Sequence, residues 1–102
     1  METILTDTSF KEETASGLVL VDFWAPWCAP CIMLGPIIEE VGSEVKDIKI
    51  GKLNVDENPQ TAQAFQIMSI PAIMLFKDGE HVETLIGLRP KEDYLAMIEK
   101  NR

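Results

Sequence analysis

The sequence predicts an α/β layered domain, and three observations lead there. Short apolar strands alternate with segments of helical period along the whole chain. Leu18-Phe23 is apolar at both parities except for Asp22, as befits a central strand covered on both faces. Asp78-Gly79 separates two further strands and is a strong hairpin signal. Strands flanking helices in this order imply at least one right-handed βαβ crossover.

The elements follow in order. Thr3-Leu5 is a short strand. Asp7 or Thr8 can cap a short helix over Ser9-Ala15, which ends near Gly17. Leu18-Phe23 is the central strand. After Trp24-Ala25-Pro26-Trp27 a helix begins near Cys28 and runs to about Val45. Pro30 suits its first turn, where a missing N–H costs nothing. Cys31, Leu34, Ile38, Val41 and Val45 make one stripe of that helix, with Ile32, Glu39 and Ser43 on another face. Pro36 lies inside it and predicts a kink. Ile48-Val55 is the next strand, and Asp56 or Asn58 can cap a helix over Pro59-Phe65. Ala72-Lys77 and Val82-Ile86 are the hairpin strands, the second broken by Gly87. Pro90 opens a last helix that buries Tyr94, Leu95 and Ile98.

At 102 residues the chain is expected to be a single domain over 1–102. Apolar residues make up 46% and charged ones 25%, with six Gly and six Pro, which argues against disorder, a collagen-like repeat or a disulfide-stapled miniprotein. The longest apolar stretches, Leu18-Val21 and Ile70-Phe76, fall far short of the ~20 residues that span a bilayer, so no membrane partner is expected. Nine Lys and Arg face seventeen Asp and Glu, a net charge of -8 that repels phosphate backbones and speaks against nucleic acid. Met1-Glu2-Thr3-Ile4 has neither a basic start nor an apolar segment with a cleavage site, so a cytoplasmic location is expected.

The chain's two cysteines, Cys28 and Cys31, form a Cys-x-x-Cys at the start of a helix. The first N–H groups of a helix lack internal partners, and the dipole puts partial positive charge there. A thiolate at that position is stabilised and more abundant at neutral pH. Cys31 lies on the buried stripe, whereas Cys28 sits at the cap, so Cys28 is the candidate attacking thiol and Cys31 the resolving one. Their separation lets them close into a disulfide and supports exchange through a mixed disulfide. Other readings compete. Zinc wants four ligands, and only His81 adds a soft donor, although a bridged dimer would supply four thiolates. A purely structural disulfide across three residues would stabilise little. Inert buried cysteines sit poorly beside Trp and Pro residues that mark a turn.

At Trp24-Ala25-Pro26-Trp27-Cys28-Ala29-Pro30-Cys31 the sequence resembles the thioredoxin family. The resemblance extends over essentially the whole chain. Val19-Leu20-Val21-Asp22-Phe23 is similar to the strand before the family's active site, and Lys52-Leu53-Asn54-Val55-Asp56 to its next strand. Ser69-Ile70-Pro71-Ala72 is similar to its cis-proline strand, Lys77-Asp78-Gly79 to its hairpin, and Gly87 to the glycine of its substrate groove. The resemblance implies a thioredoxin fold, with a central mixed β-sheet of about five strands flanked by about four helices. It implies a disulfide reductase that binds no cofactor itself. Its electrons would come from NADPH or ferredoxin by way of a thioredoxin reductase, and its substrates would be many disulfide-containing proteins. A monomer is expected.

The same resemblance assigns roles. Asp22, by spacing alone either a buried acid or an exposed strand end, becomes a buried carboxylate that takes the proton of Cys31. Lys52 shares strand parity with Ile48 and Ile50, so its stem runs on the core side, although a surface lysine is the commoner fate. The family reading makes it a cation that holds the pKa of Asp22 down. Trp24 mainly packs, while Trp27 covers the disulfide and touches substrate. A cis bond before Pro71 would present the backbone of Ile70 to an extended substrate that binds as an added strand. Trp27, Ile70 and Gly87, with Ile32, would form the apolar docking patch. Pro30 stiffens the active-site loop. Met33, Met68, Met74 and Met97 read as core or edge filler, and His81 as a solvent-exposed strand residue.

Two positions depart from the family pattern. Ala29 stands where glycine is usual, and Ile32 where a cation is common. Both bear on redox poise and target choice. An oxidase or isomerase, or a non-catalytic subunit of a larger assembly, would use the same residues.

Overall fold

Leu18–Trp24 forms the centre of a five-stranded sheet in the computed structural model, which describes residues 2–102. In chain order the elements are β1 (Glu2–Leu5), α1 (Phe10–Glu13), β2 (Leu18–Trp24), α2 (Ala29–Glu44), β3 (Ile48–Asn54), α3 (Pro59–Ala64), β4 (Ala72–Lys77), β5 (Glu80–Ile86) and α4 (Lys91–Lys100). The sheet order is β1-β3-β2-β4-β5. β1 and β2 run parallel to β3, β4 is antiparallel to β2, and β5 is antiparallel to β4. The crossover read from the sequence is therefore β2-α2-β3.

Because β2 is central, both of its faces are buried and each feeds a different core. Leu20 packs with Ile50, Ile73 and Leu75 of the sheet and with Leu34, Ile38, Val41, Tyr94, Met97 and Ile98 of α2 and α4. Val19, Val21 and Phe23 point the other way, toward Leu5, Phe10, Leu53, Met74 and Phe76. The second core contains an aromatic cluster: the Phe10 ring lies 5.4 Å from those of Phe65 and Phe76, the latter edge-on. The expected stripe of α2 is buried at Cys31, Leu34, Ile38 and Val41, with Val45 half-buried.

Several local expectations change. The first helix is only Phe10–Glu13, with Ser9 rather than Asp7 or Thr8 at its N-cap. Asp7 is used elsewhere. Its carboxylate accepts the backbone N–H of Thr61 at 2.8 Å and of Gln60 at 3.2 Å, and so caps α3 from outside. Asn58, which occupies the α3 N-cap position, in turn accepts the Asp7 N–H at 2.8 Å. Asp7 thus caps a helix other than the one that follows it, while Asn58 ties the loop before α1 to the start of α3. The last hairpin is tighter than expected, since β5 starts at Glu80 and only Asp78 and Gly79 turn the chain. Both have positive φ, 50° and 88°, the geometry that follows the twist of the flanking strands. α2 continues through Pro36 to Glu44. Met74 and Met97 are buried as filler, but Met33 and Met68 are exposed, so neither fills the core.

Candidate functional site

β2 ends at Trp24 and hands the chain to a loop whose last residue, Cys28, is the N-cap of α2. The Cys28 N–H donates to the Ala25 carbonyl at 3.1 Å and closes that turn. Cys28 has an extended backbone, φ −91° and ψ 102°, and its Sγ accepts the Cys31 N–H at 3.2 Å. That N–H is one of the donors the first helical turn leaves unpaired, so the sulfur does the work of a capping oxygen. Ala29 opens the helix, and Pro30 falls in its first turn, where it needs no donor.

Cys28 and Cys31 are joined in a disulfide with Cα atoms 5.2 Å apart. In this oxidised state the two are almost equally shielded, at 5% and 2% exposure, so accessibility does not separate them. Position does: Cys28 is the cap, and Cys31 begins the buried stripe of α2. The pair packs with Ala25 and is covered by Trp24, Val55 and Ile70.

The Ile70-Pro71 peptide is cis, and the Ile70 carbonyl oxygen lies 3.9 Å from Cys28 Sγ. The Pro71 carbonyl accepts the Gly87 N–H at 2.8 Å, which brings the end of β5 beside the cysteines. Gly87 has φ +89°, and a Cβ built there would meet nothing within 4 Å. Glycine is thus required by the backbone, and the space over it is open. The Tyr94 hydroxyl donates to the Gly87 carbonyl at 3.3 Å and ties this loop to α4. Burial pushes the Tyr94 phenol up to about 12.

Trp27 is 70% exposed, yet its indole Nε1 donates to Asp56 Oδ2 at 2.9 Å. Ile32, Met33, Met68 and Leu88 are also exposed, on the segments that follow Cys31, precede Ile70 and follow Gly87. In the sequence Asp56 reads as a helix cap or a strand end. Its role as the anchor of Trp27 follows from the pairing of Trp24 with Asn54, which sets the ends of β2 and β3 side by side. No local signal in the sequence announces it.

Behind the cysteines lies a charged pair. Asp22 is 1% exposed, and neither of its oxygens has a hydrogen-bond partner among the described residues. Lys52 is its register partner on β3, with Nζ 4.0 Å from Asp22 Oδ2 and 4.9 Å from the centre of the Trp24 ring. Burial raises the Asp22 carboxyl to about 7, against the pull of Lys52 and with a push from Glu2. Lys52 also faces α2: a Cβ on Gly35, one turn beyond Cys31 and next to Pro36, would lie 4.0 Å from Nζ. His81 is exposed on β5, with its ring beside those of Phe65 and Phe76. Among the described residues no three His, Cys, Asp or Glu side chains are grouped to hold a metal ion.

Comparison with known proteins agrees with this geometry. The thioredoxin family model matches residues 2–100. The chain is 53% identical over 97 residues to a thioredoxin of Listeria monocytogenes, covering 94% of each chain. It is 50% identical over 97 residues to a thioredoxin of Bacillus subtilis, covering 94% of this chain and 93% of that one. A solved structure of a mutant thioredoxin from Halobacterium salinarum superposes with a TM-score of 0.89 at 36% identity, covering 97% of this chain and 88% of that one. The mixed five-stranded sheet, the four helices and the Cys28–Cys31 pair at the head of α2 therefore carry a settled assignment: the chain belongs to the thioredoxin family of protein-disulfide oxidoreductases.

Proposed function

We propose that the chain is a general reductase of protein disulfides in the cytoplasm, recharged by a thioredoxin reductase that draws on NADPH or ferredoxin. The observation that carries this reading is the Cys28–Cys31 disulfide, with one of its sulfurs serving as the N-cap of α2. The unpaired N–H groups and the dipole of that helix stabilise Cys28 as a thiolate once the pair is reduced.

In the proposed cycle the Cys28 thiolate attacks one sulfur of a target disulfide. The target S–S bond breaks, a Cys28–target bond forms, and the first target sulfur leaves as a thiolate that takes a proton from water. Cys31 then passes its proton to Asp22 through one bridging water, and its thiolate attacks Cys28 Sγ. The Cys28–target bond breaks as the Cys28–Cys31 bond forms, and the second target thiolate leaves and is protonated. Two electrons pass from the chain's dithiol to the target. A carboxylate with pKa near 7 suits that proton transfer at neutral pH. Lys52 tunes it.

The exposed Trp27 and the backbone of Ile70 beside Pro71 and Gly87 form the docking site. An extended target lies there as an added strand, held by main-chain bonds that read few side chains. Ala29, Pro30, Pro36 and Trp24 hold the loop and helix in place.

The test is reduction of insulin disulfides with thioredoxin reductases of both electron-donor classes, comparing the parent with Cys28→Ser and Cys31→Ser. Turnover by the parent, no reaction with Cys28→Ser and a trapped mixed disulfide with Cys31→Ser support the reading. Equal turnover by Cys28→Ser overturns it.

A further inference from the structure

Glu2 opens β1 at the edge of the sheet and pairs with Ile50, which pairs with Leu20. One step along, Ile4 pairs with Lys52, which pairs with Asp22. Paired residues on neighbouring strands share a face, and residues two apart on one strand share it too. Glu2 and Asp22 therefore stand on the same face of the sheet, the one covered by α2, separated by the single strand β3.

The edge of this face is built as a cleft. Glu2, Ile50, Glu39 and Gly42 line a space of about 300 Å³ between β1, β3 and α2. Gly42 has no side chain to fill it, and a Cβ there would come within 2.8 Å of Ile50. Glu2 Oε2 is buried and has no hydrogen-bond partner among the described residues. Both Asp22 oxygens share that condition, so among the described residues no hydrogen-bond donor compensates Glu2 Oε2 or either oxygen of Asp22.

We propose that Glu2 is a positioning residue of the proton-handling site, acting on Asp22 through space from the sheet edge and opposing Lys52. The idea rests on the reading of Asp22 as the group that receives the Cys31 proton. Among the described residues, the charged and titratable groups that act on Asp22 or are acted on by it are Lys52 from β3, Glu2 from β1 and the Tyr94 hydroxyl from α4. Glu39 of α2 lies at the cleft beside Glu2. Lys52 favours the ionised form of Asp22. Glu2 favours the protonated form, so Asp22 holds the proton more firmly until a departing sulfur takes it.

Carbon-detected titration of the Asp22 carboxyl in the oxidised protein tests this. Glu2→Gln is expected to lower the Asp22 midpoint by about 0.3 to 1 pH unit, the effect of a unit charge ~10 Å away between water-like and protein-like screening. Glu2→Asp keeps the charge and should stay near the parent value, and Glu39→Gln should leave the midpoint where it is. An unmoved midpoint in Glu2→Gln overturns the proposal. So does an equal shift in Glu2→Asp, which would report a disturbed strand, or in Glu39→Gln, which would report net charge alone. The titration reads the Asp22 proton directly, so parent-like turnover by Asp22→Asn would remove Asp22 from the reaction without altering this result.

Discussion

Asp22 Oδ2 and Lys52 Nζ stand 4.0 Å apart at paired positions of β2 and β3, and no hydrogen bond from the described residues reaches the carboxylate. The ammonium divides its attention, since it also sits 4.9 Å from the centre of the Trp24 ring. A single cation at that distance does not compensate for the lost water. Desolvation wins, and the acid is raised to about 7.

Stability should therefore fall with pH. The folded protein holds the Asp22 proton more tightly than the unfolded chain, whose value is near 3.8. The stabilising effect is complete below 3.8 and is lost as pH rises through about 7. Asp22→Asn removes this dependence. In urea unfolding the variant and parent should converge near pH 4 and separate by pH 8, with the variant more stable by up to about 4 kcal/mol. The same variant should reduce a protein disulfide more slowly while keeping its fold.

Asn58→Ala should cost about 1 to 2 kcal/mol in unfolding free energy, because it strands the Asp7 N–H and loosens the entry to α3. Its partner is sensitive to acid. Desolvation pulls Asp7 up, but hydrogen bonds from the Thr61 side chain and from the Thr61 and Gln60 backbones outweigh it and hold the carboxyl below its ordinary value. This contribution is present above the unfolded value and is lost as pH falls through the folded one. Asp7→Asn should therefore show a shallower loss of Tm on acidification than the parent.

Asp56→Ala frees the Trp27 indole from its one hydrogen bond. Folding should change little, since both groups lie at the surface. The KM for a protein disulfide should rise about fivefold, the equivalent of ~1 kcal/mol for a lost positioning bond, while a small disulfide such as oxidised glutathione feels less. Steady-state kinetics on the two substrates checks this.

Gly87→Ala tests whether that position is set by backbone or by space. A methyl group there meets nothing within 4 Å, but φ is +89°. The expected cost is about 1 to 2 kcal/mol, all of it from the dihedral. Chemical denaturation measures it directly.

Most of the fold was legible because β2 and α2 carry strong periodic signals. Leu18-Phe23 reads as a doubly covered strand, and the Cys31, Leu34, Ile38, Val41 spacing reads as one face of a helix. The cysteine pair was legible for the same reason, as cap and stripe are read along one element. What escaped depends on register. Asp7 and Asn58 both look like caps of the helix that follows each, and only the approach of two loops turns Asp7 to α3 and Asn58 to the Asp7 N–H. Asp56 meets Trp27, and Glu2 meets the face of Asp22, through strand pairings that no local pattern specifies. Met68 looked like filler because a methionine before an apolar strand says nothing about which way it faces. It is 94% exposed.

The two tryptophans sit in opposite surroundings, and this gives the protein a built-in optical gauge. Trp24 lies half-buried against the cysteine pair beneath an ammonium ion, whereas Trp27 stands in solvent with its ring nitrogen on a carboxylate. Contact with a disulfide quenches indole emission, so light from Trp24 should brighten when the sulfurs part and dim when they rejoin. Each turnover would then be visible in a fluorimeter without a label.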